Sequence, residues 1–374
     1  MLDVELLKHF PGFTLDAQWQ VAEGVVALLG PSGAGKTLTL SCLAGLAHPD
    51  GGRVVVRGRV LYDSVHGVDQ PPRDRRLGVV FQRYALFPHL SVAGNIGFGI
   101  RRMPRKARRA RVDEMLERLG LTPVRHQHPA QLSVGQQQRV ALGRALAIDP
   151  DLLLLDEPLS ALDGPLRRTL RDELGRALRG FGKTAVVVTH DLPEACQLAD
   201  QLVVYDQGRV LQCGPKSDVL GKPASPAVAR LLGIRNILEG EVVESSRDLV
   251  RLRWRGQEVV ATNWPATAGP PPRGTRAAFF VRPEHARLMR KDRGREGPES
   301  NRQANLIPGS IVGEVDMGAT VTLQFAVAGG EPGPGGYDLE VEISRLVHEK
   351  LCVHYDRSWV VSIQPSAVQL LPGG

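Results

Sequence analysis

Cysteine is scarce and scattered. Cys42, Cys196, Cys213 and Cys352 form no CxxC pair and have no histidine companion at metal-ligand spacing. A zinc ribbon and a disulfide scaffold are therefore disfavoured, and reduced thiols in a cytosolic protein are expected. Long apolar runs are missing too: none approaches the roughly 18 residues of a membrane-spanning helix. The opening "MLDVELLKHF" carries acids where a secretory signal carries a basic segment, so the chain reads as cytoplasmic. Disorder is not the default for a chain that is 42% hydrophobic and 23% charged. With 374 residues it exceeds one typical core and suits two domains, or three if the C-terminal part subdivides.

The surplus of positive charge is local. Net charge is +7, and "RRMPRKARRAR" at 101–111 holds seven Lys/Arg and no acid. The remainder balances at 40 basic against 40 acidic residues (47 − 7 = 40). Acids follow at Asp113, Glu114 and Glu117, with Arg109 and Asp113 at i,i+4, which favours a solvated helical face over a nucleic-acid surface.

To about residue 230, short apolar runs alternate with helical patterns. "VVALLG", "RLGVVFQ", "DLLLLDEP", "TAVVVTHD" and "QLVVYDQG" read as strands buried on both faces, hence a mostly parallel sheet in an α/β domain, 1–232. A segment at about 88–150 has helical periodicity and no clear strand, which predicts a helical subdomain. Near Gly233 the pattern turns to alternation, as in Val321, Leu323, Phe325 and Val327, which predicts an all-β region over 233–374. "NILEGEV" (236–242) and "NLIPGSI" (305–311) share the order Asn, two aliphatics, x, Gly, x, aliphatic, and predict a pair of similar small barrels, OB-like in type.

"GPSGAGKT" (Gly30, Pro31, Ser32, Gly33, Ala34, Gly35, Lys36, Thr37) lies between a strand and a helical pattern, the context a P-loop requires. Lys36 would reach the β- and γ-phosphates of a nucleotide and Thr37 would ligate magnesium. "LLLLDEP" ends a buried strand in Asp156, placed for the magnesium shell, and Glu157, placed to orient or deprotonate the attacking water. Gln82 and His190 each end a strand and are candidates to sense metal, water or γ-phosphate.

Taken together, these motifs resemble the ATP-binding subunits of ABC transporters over residues 1 to about 230. They run in the order P-loop, Q-loop (Gln82), signature (Leu132, Ser133, Val134, Gly135, Gln136), the strand Leu152–Asp156 with Glu157, D-loop "SALD" (Ser160 to Asp163) and switch (His190). The resemblance implies a P-loop ATPase of ABC type that uses ATP and Mg2+. It also implies a head-to-tail homodimer in which each signature caps the nucleotide on the partner's P-loop. The family usually has LSGGQ, whereas Val134 stands at the first glycine. A β-branched residue disfavours positive φ, so either that position is extended or helical, or the loop is shifted. Adenine stacking falls to Phe10, or to Phe13 as second candidate.

The style of "FQRYALFPHLSVAGNIGFG", of "FVRPEHA" (280–286) and of the segment before "PPRDRR" resembles importers, most of all molybdate importer ATPases with a C-terminal regulatory OB-like domain. Sulfate or thiosulfate, polyamine, iron(III) and sugar importers are the alternatives. The resemblance implies a peripheral position on the cytoplasmic face of the inner membrane. Transmembrane permease subunits would dock near Tyr84, Leu86 and Phe87, and a substrate-binding protein would act indirectly. Ser310, Thr320 and nearby amides are candidate oxyanion donors. A soluble ABC ATPase acting on nucleic acid is the rival from another class, disfavoured because aromatics are few in the alternating segments, Trp254 being the main one.

Overall fold

The computed structural model describes residues 1–160, 164–264, 269–290, 304–330, 332–333, 335–353 and 356–372, residues 164–166 by backbone alone. Asp163 of the "SALD" segment lies outside the described residues, whereas Ser160 lies within them. The chain divides into two compact units, Met1–Val219 and Leu220–Gly374.

The first unit is built on an eleven-stranded sheet. One part is antiparallel: β1 (Leu2–Phe10), β2 (Phe13–Val21), β4 (Gly51–Val56), β5 (Arg59–Asp63) and β6 (Val68–Asp69). The other part is parallel, in the order β10 (Gln201–Asp206), β3 (Val25–Leu29), β9 (Thr184–Thr189), β8 (Leu152–Asp156), β7 (Leu77–Val80). Strand β11 (Arg209–Pro215) joins the two parts. Every residue of β3, β8 and β9 is buried, which is why these runs are unbroken Val, Leu and Ala rather than alternating.

Helix α1 (Lys36–Ala44) follows β3. Between β7 and β8 lie α2 (Val92–Ile96), α3 (Arg105–Arg118) and α4 (Val134–Ala147), with no strand among them. Helices α5 (Gly164–Arg179) and α6 (Leu192–Leu198) flank β9 in sequence.

The second unit begins thirteen residues earlier than the composition break near Gly233 (233 − 220 = 13). The cause is the helix Pro226–Leu231: its Ala229 is fully buried in a cluster with Ile234, Phe280 and Leu371. Two five-stranded antiparallel sheets follow. One runs β14 (Gln257–Ala261), β13 (Val250–Trp254), β12 (Asn236–Ser245), β15 (Arg276–Val281), β21 (Gln369–Leu370). The other runs β19 (Leu339–Ser344), β18 (Thr320–Val327), β17 (Asn305–Asp316), β20 (Ser358–Ile363), β16 (Ala286–Met289).

The two orders correspond strand for strand except at the last, where the halves exchange. Strand β16 follows β15 in the chain but pairs with β20, and β21 follows β20 but pairs with β15. The sheets share one core, in which Trp254, Phe279, Phe325 and Trp359 belong to a single cluster. The pair of barrels expected from the repeat is thus one strand-exchanged body with a common interior.

The repeated asparagines explain the pattern. Asn236 on β12 accepts from the Glu340 N–H at 2.7 Å and donates to the Glu340 carbonyl at 2.8 Å. Asn305 on β17 does the same to Val260, at 2.7 and 2.9 Å. Each asparagine clasps the backbone of the far sheet's edge strand, a group the local ladder leaves open.

Candidate functional site

Strands β3, β7, β8 and β9 are parallel neighbours, so the segments leaving their carboxyl ends emerge on one edge of the sheet, where open α/β sheets hold their ligands. The glycine-rich loop leaves β3, Gln82 follows β7, Glu157 follows β8 and His190 follows β9.

The loop needs its glycines. A Cβ on Gly30 would sit 2.2 Å from the Tyr205 carbonyl oxygen, and Gly35 caps α1 at φ 96°, in the left-handed region. Lys36 is buried and folds back, its Nζ donating to the carbonyls of Gly30 at 2.8 Å and Pro31 at 2.7 Å. Burial pulls its pKa below the ordinary lysine value, and the nearby carboxylates of Glu157 and Asp156 oppose that. An ammonium held by carbonyls at the start of a helix is ready to trade them for phosphate oxygens.

The Thr37 hydroxyl donates to Asp156 Oδ1 at 2.9 Å. Burial raises the Asp156 pKa, with the Thr37 hydrogen bond pulling the other way. Two hard oxygens side by side at the loop fit magnesium, which takes few protein ligands and leaves the rest to water and phosphate. No group of three His, Cys, Asp or Glu suited to a metal exists among the described residues.

Glu157 has φ 42°, unusual for a residue with a side chain. Its N–H donates to Val188 O at 3.0 Å, and its carbonyl accepts the Ser160 hydroxyl at 3.0 Å. The strained turn aims the carboxylate at two partners: Gln82 Nε2 donates to Oε2 at 3.0 Å and His190 Nδ1 lies 3.2 Å from Oε1. Gln82 thus spends its amide nitrogen on Glu157.

The signature begins α4. Ser133 is the N-cap: its Oγ accepts the Gln136 N–H at 3.3 Å, while Gln136 Oε1 accepts the Ser133 N–H at 2.9 Å, a complete capping box. Val134 is the first helical residue and is exposed, so the residue in place of glycine has ordinary helical backbone and the loop is not shifted. Leu132 and Gly135 are buried, Gly135 so close to Leu170 that a Cβ would meet it at 3.0 Å. The P-loop and the signature thus open two different helices, α1 behind Gly35 and α4 behind Ser133.

Phe10 is exposed at the end of β1, whereas Phe13 is half-buried, its ring 3.2 Å from where a Gly35 Cβ would lie. Phe13 packs beneath the loop, and Phe10 stays exposed with Lys8 Nζ 5.2 Å from its ring centroid.

Tyr84 is not at the surface as expected. It is 4% exposed, with its hydroxyl 3.4 Å from the Pro158 carbonyl. Tyr84 and Ala85 both have positive φ, and Arg144 on α4 holds their carbonyls at 2.8 and 2.7 Å, a clamp with no sequence signal of its own. Because the kink turns Tyr84 inward, the open apolar groove beside Gln82 is lined by Phe81, Ala85, Phe87, Phe98, Arg144 and Ile148, with a volume of about 360 Å3. Phe87 stacks on Phe98 at 4.1 Å, and Leu86 is half-buried. The oxyanion donors do not converge: Ser310 pairs with Ala326, six residues along β18 from Thr320, roughly 20 Å at strand rise.

The sequence pattern of the ABC transporter family matches residues 16–160. Molybdenum import ATP-binding protein ModC of Rhodospirillum rubrum is 42% identical over 229 residues, 61% of this chain and 62% of its own length. The chain thus spans about three fifths of that relative. Molybdate/tungstate import ATP-binding protein WtpC of Pyrococcus horikoshii is 35% identical over 377 residues, the whole of both chains. Import proteins named for spermidine/putrescine and for sulfate/thiosulfate also match. Among solved structures, cbiO1 from Clostridium perfringens, part of the ABC transporter complex cbiONQ, superposes with a TM-score of 0.53 at 28% identity, covering 59% of this chain and 90% of that one. The chain belongs to the ABC transporter family.

Proposed function

We propose that this chain is the ATP-hydrolysing subunit of an importer, acting as a homodimer beneath transmembrane permease subunits, with molybdate or a related oxyanion as solute. The observation that carries the ATPase reading is the convergence of Lys36, Thr37–Asp156 and the Gln82–Glu157–His190 cluster on one sheet edge. Lys36 and the loop amides bind the β- and γ-phosphates. Thr37, Asp156 and Gln82 would hold magnesium, which would supply charge neutralisation to those phosphates. Glu157 accepts the proton of the attacking water or orients it, held in position by Gln82 and His190.

The signature completes the nucleotide pocket of a second copy, a reading supported by the start of α4 lying on a different segment from the P-loop at the start of α1. Phe10 stacks on adenine. The apolar groove beside Gln82 takes a short helix of the permease, an open apolar surface being costly without a partner. No helix among the described residues is long and apolar enough to cross a membrane. The oxyanion assignment rests on relatives named for molybdenum and molybdate/tungstate import.

Two experiments test the reading. Magnesium-dependent ATP turnover should fall by roughly 10²–10⁴ in Glu157→Gln with nucleotide binding retained, and undiminished turnover would move the catalytic role elsewhere. Vesicles carrying the complete complex should accumulate molybdate or tungstate. Uptake of sulfate or spermidine in their place would reassign the solute while leaving the ATPase reading intact.

A further inference from the structure

A carboxyl group outside the recognised motifs lies beneath His190. Glu194, in the first turn of α6, is 4% exposed, and its Oε2 accepts the Thr189 hydroxyl at 2.9 Å. The Thr189 oxygen in turn accepts the Asp191 N–H at 3.0 Å, and the Asp191 carboxylate accepts the N–H of Glu194 itself at 2.7 Å. Both neighbours of His190 are therefore tied to one residue, while His190 holds Glu157 at 3.2 Å.

The second oxygen, Glu194 Oε1, is buried without a hydrogen-bond partner. The group borders a cavity of about 30 Å3 whose wall includes Glu157, Ser160, Arg167 and His190, room for one water molecule.

We infer that Glu194 is a positioning residue of the catalytic site: as a neutral acid it braces Thr189 and Asp191 on either side of His190 and so fixes the imidazole against Glu157. This rests on the reading of His190 as the γ-phosphate switch. The neutral form follows from the surroundings, because a carboxylate with one buried, unpartnered oxygen is costly. The charged groups facing it are few. Asp191, on the same loop, repels the anion. Arg171, from α5 and 3.7 Å from Asp191, and His190 attract it, and Arg167 and Glu157 line the same cavity. Burial outweighs them and lifts the carboxyl to about 7.

The sign is unambiguous: the acid form prevails below that point and is lost above it. On the alkaline side kcat should fall by about tenfold per pH unit with KM little changed. Glu194→Gln keeps the neutral shape and the Thr189 contact, so it should retain the plateau rate and abolish that fall. Glu194→Ala should lower kcat at every pH.

The test is the pH profile of magnesium-dependent ATP turnover, from about pH 6 to about pH 9, in the wild type and both variants. An alkaline limb in Glu194→Gln that coincides with the wild-type limb overturns the inference, even if Glu194→Ala fails to fold. Absence of turnover in the wild-type protein would instead refute the ATPase reading, and this role with it.

Discussion

Replacing Asn236 with alanine removes two hydrogen bonds to the backbone of Glu340, a residue 7% exposed, and strands both its N–H and its carbonyl away from water. Each lost bond to a buried partner costs roughly 1.5 kcal/mol, the upper end of the net range, because the stranded group stays away from water. A loss of about 3 kcal/mol is the reasonable centre for the pair. Asn305 makes the same two bonds, but its partner Val260 is half-buried, so water can replace part of what alanine removes. Asn305→Ala should therefore cost about half as much.

The second unit has 155 residues (374 − 219), a size for which 1 kcal/mol moves Tm by roughly 2–4 °C. The expected shifts are about 9 °C for Asn236→Ala and about 4–5 °C for Asn305→Ala. Tryptophan fluorescence during heating reports them, because Trp254, Trp264 and Trp359 lie in this unit and Trp19 alone in the other. A shift below about 1 °C in Asn236→Ala, or a larger shift in Asn305→Ala, would refute the reasoning that each asparagine clasps the opposite sheet and that burial sets its worth.

Glu157→Gln with saturating ATP and magnesium should sediment as a dimer, and adding Ser133→Arg should return it to monomer; a persistent dimer would remove the signature from the interface. Ser133→Arg also deletes a helix cap worth about 1 kcal/mol, so its fold is checked by circular dichroism. Val134→Gly should leave dimer affinity within about twofold, because helical backbone there already suits valine and glycine adds only a few tenths of a kcal/mol of helix penalty; a large gain in affinity would show that the valine side chain obstructs the partner. Glu194 has its folded pKa raised from 4.5 to about 7, so its native state binds a proton the unfolded chain has lost, and stability falls as pH rises through that window. Glu194→Gln should escape this penalty, on the order of 3 kcal/mol at pH 8, so urea unfolding that shows no widening gap between the two proteins from pH 5 to 8 would contradict the burial argument.

Local chemistry was legible in the chain itself. The P-loop reads from "GPSGAGKT" because a strand, a glycine turn and a helix start are short-range events, and the burial of β3, β8 and β9 reads from their unbroken apolar runs. What lies between distant segments did not read. That Gln82, Glu157 and His190 touch follows from the sheet order β3, β9, β8, β7, which no spacing in the sequence encodes. The inward turn of Tyr84 depends on Arg144, sixty residues away, and the weight of Glu194 depends on its burial rather than on its place in a helix. The asparagine repeat announced two related halves, but alternation marks a strand's buried face and not its partner. The exchange of β16 and β21 was therefore decided only where the two sheets closed over one interior.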